Sequence, residues 1–196
     1  MTRARLSHTL RRALGFARRE QGFARREDGV ASMEFVLMLP AFMFIFMSTF
    51  ESGLLMTRYI MLERALDMTV RDLRLGAFVF PTNATDQEKH DKIKKAICDK
   101  TVMFEDCMNI VMLELRPVSR TTWAPLNVAA SCIDRSAAVN PPQSLDLGGS
   151  DEMMLVRACA VFDPLFPNTG IAMTLPKDVT GGYDLVATSA FVNEPS

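Results

Sequence analysis

The feature that most constrains this chain is an uncharged apolar run from Phe35 to Phe50, which follows an arginine-rich N-terminal segment. As a helix this run covers about 24 Å at ~1.5 Å per residue, and continuation to Met56 brings it to about 33 Å, enough to cross a hydrocarbon core of ~30 Å. A cleaved secretory signal has a shorter apolar region and an A-x-A-like exit, which this segment lacks. The sequence therefore predicts a membrane-spanning helix over residues 30–57.

Charge is distributed unequally on the two sides of this predicted span. Residues 1–29 hold eight arginines and three acidic residues, a net charge of +5, whereas the rest of the chain holds fourteen basic and twenty acidic residues, a net charge of −6. The positive-inside rule then places the N-terminal segment in the cytosol and residues 58–196 outside it. A chain of 196 residues has room for one outer domain of ordinary size.

Polar residues and a proline mark the predicted span. Pro40 removes a backbone hydrogen bond and predicts a kink, which membrane helices tolerate. Glu51 falls close to the outer interface, where we expect its carboxylate to reach water, and Arg58 with Tyr59 suits an interfacial anchor. Glu34 stands at the inner mouth of the span, where a carboxylate is costly and usually functional. The alternative is that Glu34 lies in the head-group layer and faces water.

The N-terminal segment contains a seven-residue repeat, in which Gly15–Glu20 recurs as Gly22–Glu27. Each of these glycines has a glutamate five residues later, as Gly29 does, but only after Gly29 are the intervening residues uncharged and the following ones apolar. A solvated basic tail explains the repeat, and a nucleic-acid-binding arm has little support without a folded reader beside it. A mitochondrial presequence is a further alternative, against which the acidic residues before Gly29 argue.

The predicted outer domain begins with a continuation of the helix to about Leu75. Gly76 and Pro81 are stop signals, and Thr85 to Glu88 forms a capping box that opens a second helix. An apolar stripe at three- and four-residue steps predicts that the outer half of the first helix packs on the domain. The stripe consists of Leu55, Tyr59, Leu62, Leu66, Val70, Leu73 and Ala77.

Three segments alternate apolar and polar residues as strands do: residues 110–116, 153–162 and 183–192. In the first of them we expect Glu114 and Arg116 on the polar face. This pattern predicts an antiparallel sheet covered on one side by the long helix, an α+β fold. The connection over residues 117–150 is long for a small domain, so it is either functional or poorly ordered.

All four cysteines, Cys98, Cys107, Cys132 and Cys159, lie in the predicted outer domain. An even number in an exported domain indicates two disulfides, for which three connectivities exist. We prefer Cys132 with Cys159, which ties the long connection to the second strand, and Cys98 with Cys107. The absence of a C-x-x-C motif and of suitably spaced histidines argues against a zinc site.

The sequence carries no motif of a nucleophilic, nucleotide-binding or metallopeptidase enzyme. His90 falls in a charged helical turn, where we expect a solvated imidazole. The acidic pairs Glu105-Asp106 and Asp151-Glu152 lack further ligands and read as solvated surface rather than calcium sites. We therefore expect no catalytic residues, no metal and no cofactor.

Gly29, Glu34 and Phe35, followed by Val-Leu-Met-Leu-Pro40, resemble the processing site of class III (Flp-type) prepilins. More specifically, they resemble the TadE-like pseudopilins, or minor pilins, of the tight adherence (Tad) pilus machinery. The resemblance implies a pilin-like fold, a cytoplasmic leader over residues 1–29 and cleavage between Gly29 and Val30 by a membrane-embedded prepilin peptidase. Glu34 would be retained in the mature helix. Phe35 is a mild departure, because the major pilin of this system often has Tyr there.

Cleavage after Gly29 would create an α-amino group at Val30, four residues from Glu34. An isolated carboxylate facing lipid costs about 2.5–3.5 kcal/mol on insertion scales, and pairing with an ammonium offsets that cost. The pair can form within one subunit or between neighbours, and the resemblance to helical pili favours the second.

The resemblance also implies partners and a location. The partners are the prepilin peptidase, the Tad inner-membrane assembly platform, a second pseudopilin and the major pilin, with no nucleic acid. The location is the bacterial inner membrane, crossed once with residues 58–196 in the periplasm, and the extracellular pilus is a further destination. The competing interpretation is an uncleaved, membrane-anchored periplasmic scaffold or sensor whose basic tail only sets topology.

Overall fold

The computed structural model describes residues 30–124, 128–137, 140 and 145–194. The predicted leader and the cleavage residue Gly29 lie outside these ranges. The chain divides into two units, Met1–Phe46 and Met47–Ser196. The described elements in chain order are helix α1 (Val30–Arg74), α2 (Asp86–Cys98), α3 (Cys107–Ile110), strand β1 (Val111–Pro117), β2 (Met153–Phe162), helix α4 (Gly170–Thr174) and β3 (Tyr183–Val192).

The three strands form one antiparallel sheet in the order β1-β2-β3. Ala158 at its centre pairs with Leu113 on one side and Ala187 on the other. β2 and β3 have the predicted bounds, whereas β1 begins one residue later because Ile110 closes the short helix α3. The inward side chains of the strands share one apolar core with Leu62, Ala65, Leu66 and Val70 of α1. The predicted α+β fold, with a long N-terminal helix and a small antiparallel sheet, is confirmed.

The apolar stripe of α1 differs from the prediction at two of its positions. Leu62, Leu66 and Val70 are buried, but Tyr59 is exposed and Ala77 lies beyond the helix. Thr69 is buried instead, where its hydroxyl donates to the carbonyl of Ala65 at 2.8 Å. The helix ends at Arg74, just before the predicted stop signal Gly76, whose φ of +66° suits glycine. The Gly76 N–H donates to the Leu73 carbonyl and the Ala77 N–H to the Asp72 carbonyl.

Helix α2 begins at the predicted capping box. The Thr85 hydroxyl accepts from the Glu88 N–H at 3.3 Å, and the Glu88 carboxylate accepts from the Thr85 N–H at 2.8 Å. The helix buries Ile93 and Ile97 in the core, and with them His90 and part of Lys94. The expectation of a solvated imidazole at His90 is therefore wrong. Its Nε2 atom has no hydrogen-bond partner among the described residues.

Burial of His90 predicts that the protein loses stability as pH falls from 7 towards 5. Desolvation lowers the pKa of His90 below its ordinary 6.5; the hydrogen bond with Asp91 opposes this shift, and the charge of Lys94 adds to it. The unfolded chain then binds a proton near pH 6.5 that the folded chain does not. Stability is therefore present above pH 6.5 and is lost as pH falls towards the folded pKa.

Urea unfolding of the full chain in a mild detergent at pH 7 and pH 5 measures this loss. His90→Gln, which does not titrate, should reduce the difference, and His8→Gln should retain the wild-type difference. An equal difference in all three proteins would assign the pH dependence to other groups.

The second face of the sheet is covered over β1 and β2, contrary to the expectation of a solvated polar face, whereas on β3 the predicted polar residues Asp184 and Thr188 are exposed. Glu114 and Arg157, which are register partners on β1 and β2, are both buried. Arg157 donates from Nη2 and Nε to one Glu114 oxygen at 2.7 and 3.0 Å, and from Nη1 to the carbonyl of Val128. Arg116 is half-buried and forms an ion pair with the other Glu114 oxygen at 2.6 Å, without hydrogen-bond geometry. The segment after β1 thus lies over this face.

Two disulfides secure the connections. Cys98 bonds to Cys107, joining the end of α2 to α3, and Cys132 bonds to Cys159 on β2. This is the pairing preferred from the sequence, and the prediction of a disulfide-braced fold is confirmed. The described parts of the connection over 117–150 are therefore held covalently on the sheet.

A further ion-pair cluster holds the same connection against the loop before β3. The Arg135 guanidinium donates to Asp163 at 2.9 Å and to Asp178 at 3.3 Å. Burial acts to raise the pKa of Asp178, but hydrogen bonds from Thr180, the Gly182 N–H and Arg135 lower it to about 2. Asp178 is therefore ionised at neutral pH, so the pair with Arg135 is formed between charged groups.

Candidate functional site on the N-terminal helix

Helix α1 is described from Val30 to Arg74 and carries the predicted membrane span. Over residues 31–42 every side chain is exposed, including the large apolar side chains of Met33, Phe35 and Leu37. Water does not cover such a helix at low cost, so lipid or other protein surfaces must do so. The length and composition of this helix make it a candidate membrane anchor.

Glu34 is the one acidic residue in the described helix before Glu51, and it is exposed. Within the ranges that the structure describes, its carboxylate has no ion-pair partner. In an α-helix, residues four apart lie on one face, so Glu34 shares a face with Val30. A carboxylate in this position can form an ion pair with a cationic group from outside the described part of the chain. Its pairing with an amine at Val30 stays a prediction.

Pro40 lies inside α1 and is exposed. Its nitrogen carries no hydrogen, so it cannot donate to the carbonyl of Val36, one turn earlier. That carbonyl needs another donor or stays unpaired in the span. The kink predicted at this position remains a prediction.

Glu51 contradicts the expectation that its carboxylate reaches water. The side chain is fully buried. One carboxylate oxygen accepts the Leu165 N–H at 3.2 Å and the other accepts the Phe166 N–H at 3.0 Å. Both donors belong to the loop between β2 and α4, which is more than one hundred residues away in sequence. No sequence pattern signals this contact, because the donors are backbone groups that any residue type provides.

Two further contacts hold this loop against α1. The rings of Phe50 and Phe166 lie 6.3 Å apart in an edge-to-face arrangement. Gly170, with φ of +28°, approaches Ser48 so closely that an added Cβ would lie 2.2 Å from the Ser48 hydroxyl oxygen. Only glycine therefore fits there without a shift of the loop.

Arg58, which lies two turns after Glu51, contacts the folded domain, although the sequence predicts it as an interfacial anchor. Its guanidinium donates to the Tyr183 hydroxyl at 2.7 Å and lies 4.7 Å from the centre of the Phe162 ring. Burial raises the pKa of Tyr183, although Arg58 acts to lower it. Tyr183 therefore stays neutral at physiological pH and accepts from Arg58.

A group close enough to suggest a metal site lies on the covered face of the sheet, where Cys132, Cys159 and Asp184 approach one another. Both sulfurs are in the disulfide, which leaves the Asp184 carboxylate as a single ligand. These three residues therefore do not form a metal site in the oxidised protein.

Comparison of the chain with curated proteins and with solved structures finds no match. A family model does match: it is TadE, described as TadE-like protein, and it covers residues 29–71. The matched range begins at Gly29 and ends in the last turn of α1. The resemblance noted from the sequence is confirmed for this segment: residues 29–71, in the N-terminal helix, are similar to TadE-like proteins.

Proposed function

We propose that the protein is a minor pilin, or pseudopilin, of a Tad (Flp-type) pilus, made as a membrane-inserted precursor and cleaved after Gly29. The observation that carries this proposal is the TadE-like match, which starts at Gly29 and leaves the basic segment before it unmatched. A removable leader followed by an exposed apolar helix is the arrangement that a pilin precursor needs.

The proposed topology places residues 1–29 in the cytoplasm, 30–57 in the inner membrane and 58–196 in the periplasm. The charge difference across the span supports it through the positive-inside rule. The disulfides Cys98–Cys107 and Cys132–Cys159 support it independently, because such bonds persist in the bacterial periplasm and are rare in the cytosol.

In this proposal Glu34 directs assembly. The cut would free an amine at Val30, and the Glu34 carboxylate of one subunit would pair with the amine of a neighbour in the low-dielectric membrane. An unpaired carboxylate there costs about 2.5–3.5 kcal/mol, so subunits in correct register are favoured over misaligned ones. The exposed apolar side chains around Glu34 would pack between subunits. The role is structural and involves no catalysis by this chain.

The partners proposed on this basis are the prepilin peptidase, the Tad inner-membrane assembly platform, a second pseudopilin and the major pilin. The peptidase would act on the junction at Gly29, and the other three would contact α1 through its exposed apolar surface. No cofactor enters this function.

Cleavage is tested by N-terminal sequencing and intact-mass measurement of the protein from its native host. We expect Val30 as the first residue and an uncut chain for Gly29→Ala. Gly22→Ala is the matched control, because Gly22 also has a glutamate five residues later but no apolar helix after it. It should be cut like the wild type. An uncut wild-type chain in cells with an active prepilin peptidase would leave the anchored scaffold or sensor as the function.

A further inference from the structure

We propose that residues 164–176, here called the apolar loop, form a second membrane contact that lies at the outer head-group boundary beside α1. The partner is the lipid surface. The inference rests on the proposed anchorage of α1 in the membrane and adds a site to it. This contact would set how deeply the helix inserts.

The composition and exposure of the apolar loop fit lipid. From Pro164 to Pro176 the sequence has no charged residue, and Asp163 and Lys177 bound it. Leu165, Ile171 and Met173 are 53%, 37% and 62% exposed. A surface loop of a soluble domain ordinarily carries polar side chains at such positions, whereas an interfacial segment places apolar ones against the acyl chains.

The position of the apolar loop is fixed at the outer end of the charge-free run. Its backbone N–H groups at Leu165 and Phe166 bind Glu51, and the Phe166 ring contacts Phe50, the last residue of that run. The loop therefore cannot move far along α1. By contrast, Leu75, just beyond the C-terminal end of α1, lies 24 residues after Glu51. At ~1.5 Å per residue this places Leu75 about 36 Å from the level of the apolar loop.

The burial of Glu51 allows lipid to approach this level of the helix. The carboxylate is enclosed and accepts hydrogen bonds from two backbone N–H groups, so no charged atom of Glu51 lies on the helix surface. The next charged residue of α1 is Arg58, whose guanidinium is held by Tyr183. The helix surface is consequently free of exposed charge on both sides of the level at which the loop is attached.

Membrane thickness agrees with this placement. A hydrocarbon core of ~30 Å takes about twenty helical residues, so the twenty residues before Glu51 begin at Ala31. Irregular backbone is not found in lipid-exposed positions inside the hydrocarbon, so the loop would stop insertion at the head-group boundary. Glu34 then falls just inside the opposite edge of the core, where an unpaired carboxylate is unfavourable.

Tryptophan fluorescence of the full chain in lipid vesicles tests the proposal. In a Trp123→Phe background, which removes the one native tryptophan, Met173→Trp should show blue-shifted emission and lose most of its intensity in lipids brominated near the head group. Lipids brominated near the chain ends should quench it less. Leu165→Trp is a second probe of the same loop and should behave alike.

Two control positions make the outcomes distinct. Phe42→Trp, inside the span, should be quenched most by deep bromines, and Leu75→Trp should be quenched by neither lipid. If Phe42→Trp is quenched but neither loop probe is, the loop contact is overturned and the anchor stands. If Phe42→Trp is also unquenched, the membrane anchorage itself fails. A blue shift of the loop probes that depends on protein density and not on bromine would assign the loop to a second copy of the chain and overturn the lipid contact.

Discussion

Arg157→Ala is expected to lower the free energy of unfolding by about 3 kcal/mol, the low end of the range for a broken buried ion pair, because the buried Glu114 carboxylate keeps only the half-buried Arg116 as a counter-ion. Arg157 supplies two hydrogen bonds to that carboxylate, and both side chains are almost completely enclosed. The Glu114 oxygen that faces Arg157 would lose both hydrogen bonds, and it cannot recover water without opening this part of the sheet. The substitution also removes the hydrogen bond to the carbonyl of Val128.

Urea or thermal unfolding of the full chain in detergent, with the disulfides intact, measures this effect. For a unit of about 150 residues each kcal/mol shifts Tm by about 2–4 °C, so the midpoint should fall by on the order of 10 °C. Arg74→Ala is the matched control, because Arg74 pairs with Glu194 at 2.9 Å but both side chains are more than half exposed. That pair should contribute at most about 1 kcal/mol.

A double substitution separates the cost of the orphaned charge from the value of the pair. Glu114→Leu with Arg157→Met removes both charges and keeps apolar volume, and such replacements are often neutral or stabilising. We therefore expect the double variant to be clearly more stable than Arg157→Ala. A double variant as unstable as the single one would mean that the ion pair itself, rather than the avoidance of a buried unpaired charge, stabilises the domain.

The regular elements of this fold were predictable because local signals determine them. The alternation in residues 153–162 and 183–192, the capping box at Thr85 and the stop at Gly76 each act over a few residues. The structure has them where the sequence indicates. The TadE-like segment that starts at Gly29 was likewise recognisable, since charge, small residues and an apolar run meet within a dozen positions. Cleavage at this position stays a prediction.

The side chains whose solvent exposure was predicted wrongly are polar, and their partners are distant in the chain. Glu114 reads as solvent-facing by alternation, but Arg157 is its partner across the sheet and the segment around Val128 covers both. Glu51 reads as interfacial, but loop backbone encloses it. In both cases the burial of a charge depends on a long-range contact, which periodicity does not encode.

Glu34 and Glu51 of α1 are expected to respond differently to replacement by alanine. Glu51→Ala removes the acceptor of the Leu165 and Phe166 N–H groups, and each hydrogen bond to a charged group contributes about 1.5–3 kcal/mol. The unfolding midpoint should fall, and the apolar loop should become accessible to protease. Glu51→Gln retains one acceptor oxygen and should lie between alanine and the wild type.

Glu34→Ala should leave the unfolding free energy within about 0.5 kcal/mol of the wild type, as expected for an exposed residue without partners in the described chain. Pilus production in the native host, measured from sheared surface fractions and by electron microscopy, should nevertheless be lost. Normal pili from Glu34→Ala would remove the assembly role proposed for this carboxylate. If Glu51→Ala also loses its pili, the loss should be accompanied by a lower stability of the folded protein. The stability measurement therefore distinguishes Glu51, which holds the domain on its helix, from Glu34, which is proposed to act between subunits.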